Sequence, residues 1–334
     1  MQISNFFSNN SYLFLPTKSN PKVALAIDNK LLVKSSFKLY NPFSSKAKIL
    51  KNTLYFFSLT FNGLIQKVLG DKKKTKGSFI VYLEEKLNQK IVSSLYFATL
   101  KDKVVLQLQT EEGNIIGYVK FPLNELGIEH LENEKQAIDI LAQKNLTQPY
   151  QDYDYFEGKP FLILEELDGE IGMPKLNVLK EILCSLSSND YFSLETHPRV
   201  IALKNMTESY SLGEYTKLIQ DICRASKREY AKVYEHGDFT PWNIIYSEGK
   251  YQLFDFEYFV EEGLEYFDLI KYYYNTGKLL DNKRDSDLID YITKKLDTEE
   301  ALLLLRLFLI KETLLSEDEA VEEKRLLESL GAVS

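Results

Sequence analysis

The chain has 334 residues, 44% of them hydrophobic and 27% charged, with a net charge of −8. That is enough chain for two domains or one two-lobed enzyme with a real core. The acidic balance argues against general nucleic-acid binding, no apolar run reaches the about 18 residues of a membrane span, and no zinc-type ligand cluster or P-loop motif is present.

Cys184 and Cys223 sit in helix-like apolar patterns far from any metal-ligand spacing. They read as reduced core residues, and a cytoplasmic setting is expected. The N-terminal MQISNFFSNNSYLF lacks the basic start and apolar run of a secretory signal.

Residues 1–45 alternate short apolar runs with turns. YLFLP, KVALAI and LLVKSSF read as strands, the last two joined by a hairpin turn at Asp28-Asn29. Leu54 to Leu69 reads as an amphipathic helix flanked by Lys46, Lys48, Lys51, Lys67, Lys72, Lys73, Lys74 and Lys76, with Asp71 the one acid among them. Such a basic, aromatic helix either lies on an anionic membrane surface or docks on the fold beside a solvated lysine loop. A peripheral membrane contact through 46–76 is therefore one expectation.

Residues 78–125 read as a β-meander built from IVSSLYFAT, KVVLQLQ and NIIGYVKF, with a hairpin turn at Glu111 to Asn114. Lys120 lies inside the third strand between Val119 and Phe121, where an ammonium needs a partner or an anionic ligand. The next helix, His130 to Asn145, offers Glu132 and Glu134. Glu134 is the expected partner because it falls nearest the Ala137, Ile138 and Leu141 face. FLILEELDGE follows as an apolar strand running into acids. From about residue 174 the spacing is helical through LNVLKEILCSLSS and YTKLIQDICRASKREYAKVY, and again after residue 265.

The stretch that carries chemistry is YEHGDFTPWNIIYSEGKYQLFDFEYF, Tyr234 to Phe259. Two short apolar strands flank Glu248-Gly249-Lys250, which has tight-hairpin chemistry. Asn243 opens the first strand and Asp255 closes the second, so an antiparallel hairpin sets them side by side, with Asp238 in the loop before. Two carboxylates and an amide oxygen at one end of a small sheet are hard ligands suited to Mg²⁺. The competing reading is a polar turn whose Asp and Asn only satisfy backbone donors.

HGDFTPWN followed by FDFE resembles the catalytic loop of the aminoglycoside phosphotransferase and choline kinase family, within the protein-kinase-like superfamily. The resemblance is specific at 234–259, extends over about 90–275 and does not reach 1–75. It implies an α+β fold with a small antiparallel β N-lobe at 78–165 and a mainly helical C-lobe at 166–334, to which the pattern of residues 1–77 adds an N-terminal β/α appendage. It implies ATP and Mg²⁺, with Asp238 as the base that takes the acceptor hydroxyl proton and Asn243 and Asp255 as metal ligands. Lys120 held by Glu134 would bind the nucleotide phosphates, Lys101 or Lys103 would screen them, and Glu166 and Leu167 would lie at the adenine hinge. His236 would hold the loop, Asp268 would brace it from the next helix, and Glu257 would support the metal or join it.

No long activation segment follows Asp255, which favours small-molecule acceptors. A cationic acceptor would suit Glu261, Glu262 and Glu265. Against the family's pattern, 93–109 holds no glycine to bring backbone N–H groups to phosphates. Two alternatives follow: a catalytically inactive kinase-fold binding or scaffold protein, and a kinase for a cell-envelope saccharide held at the membrane surface by 46–76.

Overall fold

A computed structural model describes residues 2–40, 45–97, 102–167, 169–247, 249–315 and 320–331. The chain is a mixed α+β protein that divides into two units, one of residues 1–135 and 148–168, the other of 136–147 and 169–334.

The first unit holds one eight-stranded sheet. Its strands are β1 (Ser11–Pro16), β2 (Pro21–Ala26), β3 (Asp71–Lys72), β4 (Val92–Phe97), β5 (Lys103–Gln109), β6 (Ile115–Pro122), β7 (Asp152–Phe156) and β8 (Lys159–Leu164), in the order β3-β1-β2-β4-β5-β6-β8-β7. The expected boundary at residue 77 does not divide this sheet, because β2 pairs with β4 through Val23↔Tyr96 and Ala24↔Leu95. Residues 1–77 thus extend the meander rather than standing apart from it.

Helices α1 (Lys30–Ser36), α2 (Ser45–Thr60), α3 (Asn62–Val68) and α4 (Ser78–Leu87) belong to the same unit. LLVKSSF is α1 and not a strand. Asn29, expected in a hairpin turn, is its N-cap and accepts from the Leu32 N–H at 2.8 Å. The helix expected at 54–69 starts earlier and breaks at Phe61, whose backbone (φ −120°, ψ 42°) leaves the helical region. Asn62 and Gln66 then donate to the Ile27 carbonyl at 2.9 and 2.8 Å, tying α3 to the end of β2.

SFIVYLEEKL, counted above with the meander, is α4. Its aromatic and β-branched residues favour strands, but Phe79, Ile80 and Leu83 bury one helical face. Phe79 packs on Phe6, Phe121 and Phe161 with ring centroids 4.9–5.6 Å apart, the centre of the main core. A second core joins Leu13, Leu15, Val23, Leu25, Ile27, Val33 and Phe37, against which α2 and α3 lay Leu54, Tyr55, Leu59 and Ile65.

Helix α5 (Glu125–Leu141) runs across the division at residue 135. In the second unit come β9 (Glu170–Ile171), α6 (Leu176–Leu186), β10 (Ser187–Ser193), α7 (Pro198–Ser209), α8 (Gly213–Ala225) and β11 (Glu229–Glu235). The helical pattern read through to Tyr234 stops at Ala225. EYAKVYE is a strand, paired with β10 on one side and with β14 (Val260–Leu264) on the other. Between them lies the hairpin β12 (Ile244–Ser247) and β13 (Lys250–Leu253), with β9 as its third strand. Helices α9 (Phe267–Asn275), α10 (Asp285–Leu296), α11 (Ala301–Leu315) and α12 (Val321–Ser329) complete the unit. Among the described residues no helix is long and apolar enough to cross a membrane. Cys184 is exposed rather than in the core, and Cys223 is half-buried.

Candidate active site

In the first unit Lys120 sits on β6 between Val105 of β5 and Leu162 of β8. It is buried, and its ammonium donates to Glu134 Oε1 at 2.7 Å. Glu134 is buried on the inner face of α5, whereas Glu132 is exposed and accepts from the Tyr153 hydroxyl. The helical period thus selects the pair: positions 134, 137, 138 and 141 face inward and 132 does not. Breaking one half of such a pair strands the other charge in the interior, while the intact pair contributes little net stability.

Lys101 lies outside the described residues. Lys103 opens β5 opposite Pro122. Beside it Asp102 is buried and accepts from His130 Nδ1 at 3.0 Å. Burial works to raise the Asp102 carboxyl, but His130 and Lys103 hold it below its usual range. A partner for His130 was not expected from sequence. Glu166 follows β8 and pairs with Lys38 at 3.1 Å, and Leu167 beside it is half-buried.

The second unit holds the loop. β11 delivers His236, Gly237 and Asp238. The His236 and Gly237 amides donate to the two oxygens of Asp268, at 2.7 and 3.0 Å, from the first turn of α9. Gly237 has φ +81°, and a Cβ there would fall 2.2 Å from the Tyr258 carbonyl oxygen. Only glycine fits that position. His236 Nε2 donates to the Phe254 carbonyl at 3.1 Å, one residue before Asp255, and burial keeps the imidazole neutral by pushing its pKa down. His236 therefore joins the loop to the far strand of the hairpin.

Asn243 ends a short turn, Pro241–Asn243, and is buried. Its Nδ2 donates to both the backbone oxygen (2.9 Å) and the Oδ2 (3.0 Å) of Asp238. The hairpin register runs from Ile244↔Leu253 to Ser247↔Lys250, and the Phe254 N–H donates to the Asn243 carbonyl at 3.2 Å. Glu248, in the expected turn, lies outside the described residues. Asp255, next in line, is half-buried with φ +67°, a left-handed conformation that Asp tolerates better than most residues. With Nδ2 committed to Asp238, Asn243 has Oδ1 to offer a ligand. An amide oxygen and a carboxylate are donors of the hard type that Mg²⁺ takes. Glu257, half-buried, follows two residues later. Of the three acids suggested for the acceptor, Glu261 accepts from Gln136 Nε2 and Glu265 from the Ala231 amide at 3.1 Å, so both have partners within the fold.

One feature of this unit was not foreseen. Glu235, immediately before His236, is fully buried. It accepts from Arg199 Nε (3.0 Å) and Nη2 (3.2 Å) and from Lys311 Nζ (3.0 Å). Lys311 also meets Glu312 at 3.0 Å, and Glu312 meets Lys271 at 2.6 Å. Burial alone would raise Glu235, but Arg199 and Lys311 bring it down to about 2. The sequence carried one signal: Lys311 stands inside LLLLRLFLIKE, where a buried ammonium needs a carboxylate. His197 caps α7 by accepting from the Arg199 amide at 3.2 Å.

Asp268 behaves oppositely. Burial, with the Glu235 charge, pushes it up to about 7 against the two amides and Lys311. A carboxyl raised by folding binds more protons in the folded state between about 3.8 and about 7, so its contribution to stability falls as pH rises through that window. Asp268→Asn removes the titration. We expect the stability advantage of wild type over this variant to narrow from pH 4 to pH 7, as read by urea unfolding across that range.

No family model and no curated protein sequence matches the chain. Among solved structures it is similar in fold to an ethanolamine kinase from Plasmodium vivax, at 14% identity over 90% of this chain and 94% of that one, with a TM-score of 0.40. It is likewise similar to the APH(2")-IIa of a streptomycin–ATP ternary complex (15% identity, 77% and 96% covered, TM-score 0.44) and to a macrolide 2'-phosphotransferase type I (11% identity, 77% and 96% covered, TM-score 0.45). At these values the residues of the site, and not the likeness, carry a functional reading.

Proposed function

We propose that the protein is an ATP-dependent phosphotransferase of the aminoglycoside phosphotransferase and choline kinase type, moving the γ-phosphate to a hydroxyl of a small molecule or sugar. The observation that carries this reading is the Asp238–Asn243 pair, locked by two hydrogen bonds and fixed from behind by Asp268 and His236. A turn that only satisfied its own backbone would not need a buried carboxylate from another helix to hold its amides.

In this reading Asp238 accepts the acceptor's hydroxyl proton as the oxygen attacks phosphorus. Asn243 Oδ1 and Asp255 would hold Mg²⁺, which when bound offsets charge on the β- and γ-phosphates. Lys120, held by Glu134, binds nucleotide phosphate. Lys101 and Lys103 add positive charge nearby in sequence, and the backbone at Glu166 and Leu167 receives the adenine edge. Glu257 supports Asp255. The two free thiols fit a reducing, cytoplasmic setting.

Thermal unfolding with and without Mg²⁺–ATP tests the nucleotide half of this reading. Wild type should be stabilised in a concentration-dependent way, as any ligand of the folded state requires. Lys120→Met should lose most of that shift. If Mg²⁺–ATP leaves the wild-type midpoint unmoved, the protein is the inactive kinase-fold scaffold instead.

A further inference from the structure

The outer face of α2 and α3 does not fit the surface of an ordinary folded domain. Both helices turn Leu54, Tyr55, Leu59 and Ile65 onto the second core. The opposite face is also apolar: Ile49 (66% exposed), Phe56 (61%), Phe57 (42%), Phe61 (49%), Leu64 (60%) and Val68 (68%). Phe57 and Phe61 share one face at the end of α2 and Leu64 and Val68 one face of α3, an exposed apolar stripe on either side of the break at Phe61. Phe57 stacks on Phe61 at 6.1 Å and meets Phe56 edge-on at 5.8 Å, an aromatic ridge in solvent. Contiguous exposed apolar surface of this kind marks a binding face.

Charge identifies the occupant. The whole chain is acidic at −8, yet residues 45–70 contain no Asp or Glu and four lysines, Lys46, Lys48, Lys51 and Lys67. Lys48 and Lys67 are exposed towards either end of the stripe, and Lys72 and Lys74 follow, also exposed. Phe and Leu on the outward stripe with Lys at its edges is the pattern of a helix lying in a headgroup layer. A second copy of the chain is disfavoured, because pairing the same face would bring two basic rims together.

We propose that α2 and α3 dock the protein on an anionic membrane surface, with the stripe from Ile49 to Val68 entering the acyl boundary and the flanking lysines meeting the headgroup charge. This binding does not depend on the phosphotransferase reading.

The full chain would be co-sedimented with vesicles of phosphatidylcholine alone and of phosphatidylcholine with phosphatidylserine, at low and high salt. We expect binding to the phosphatidylserine vesicles, weakened by salt, and reduced at least about tenfold in the pair Phe57→Asp/Phe61→Asp. Both side chains are exposed, so the variant should keep the wild-type melting curve. Lys48→Glu/Lys67→Glu, tested in parallel, should lose the phosphatidylserine preference and serves if the first pair misfolds. Equal sedimentation with both vesicle types at low salt overturns the proposal. So does a wild-type dimer that Phe57→Asp/Phe61→Asp converts to monomer with no vesicle binding by either protein, which would make this face a contact between copies.

Discussion

Asp238→Asn is expected to lower phosphoryl transfer by about 10²- to 10⁴-fold while leaving the melting temperature close to wild type. The substitution keeps the size of the side chain and an oxygen that can accept from Asn243 Nδ2, so the 3.0 Å contact has a substitute. The backbone bond at 2.9 Å, from the same nitrogen to the Asp238 carbonyl, is untouched. His236, Gly237 and Asp268 hold the loop through groups that do not involve the Asp238 side chain. What disappears is the carboxylate that we propose takes the acceptor's proton. ADP release measured beside a melting curve separates the two effects. A variant that transfers phosphate at the wild-type rate removes Asp238 from the role of base.

The second large effect concerns stability. Glu235→Leu is expected to cost about 3–5 kcal/mol, measured by urea unfolding, because it leaves buried cations short of their carboxylate. Lys311 is 2% exposed and would keep the Glu312 carboxylate and the Phe267 and Phe308 rings, while Arg199 would lose both of its bonds to this residue. Adding Lys311→Met should recover part of the loss, since removing a charge with its partner avoids stranding either one. If the single variant is as stable as wild type, the cluster contributes no structural restraint. If it is destabilised as expected, Glu235 holds the end of β11, the residue from which the His236–Asp238 loop departs. Activity should then fall in step with the folded fraction and not beyond it.

Local chemistry made the hairpin legible. Ile244–Ser247 and Lys250–Leu253 are short apolar runs around a glycine turn, and pairing them fixes where Asn243 and Asp255 must lie. Lys120 was legible because an ammonium between Val119 and Phe121 needs a partner, and helical period chose Glu134 over Glu132. Asp268 and His236 were singled out before any contact was known, and the structure shows them hydrogen-bonded to the backbone of the loop and of the hairpin. Long-range contacts were not legible. Arg199, Glu235, Lys311 and Glu312 come from three elements far apart in sequence, and no spacing rule joins them. Asp102 and His130 are separated by 28 positions, and their contact joins the residue before β5 to α5. The N-terminal error had a different cause. LLVKSSF and SFIVYLEEKL have strand-favouring residues, and only their buried faces and, for the first, the Asn29 cap make them helices. The helix at 54–69 was legible from its spacing, but which of its faces is exposed is known only once its buried face is placed.

The proposed reaction is transfer of the ATP γ-phosphate to an alcohol by Asp238 with Asn243 and Asp255. It is tested most directly by ³¹P NMR of Mg²⁺–ATP incubated with the protein and a panel of sugar, aminoglycoside and amino-alcohol acceptors. A new phosphomonoester resonance is expected with at least one acceptor, growing as the γ-phosphate signal declines, abolished by omitting Mg²⁺ and by Asp238→Asn. An ATP spectrum unchanged across the whole panel, with wild type and Asp238→Asn indistinguishable, would contradict it.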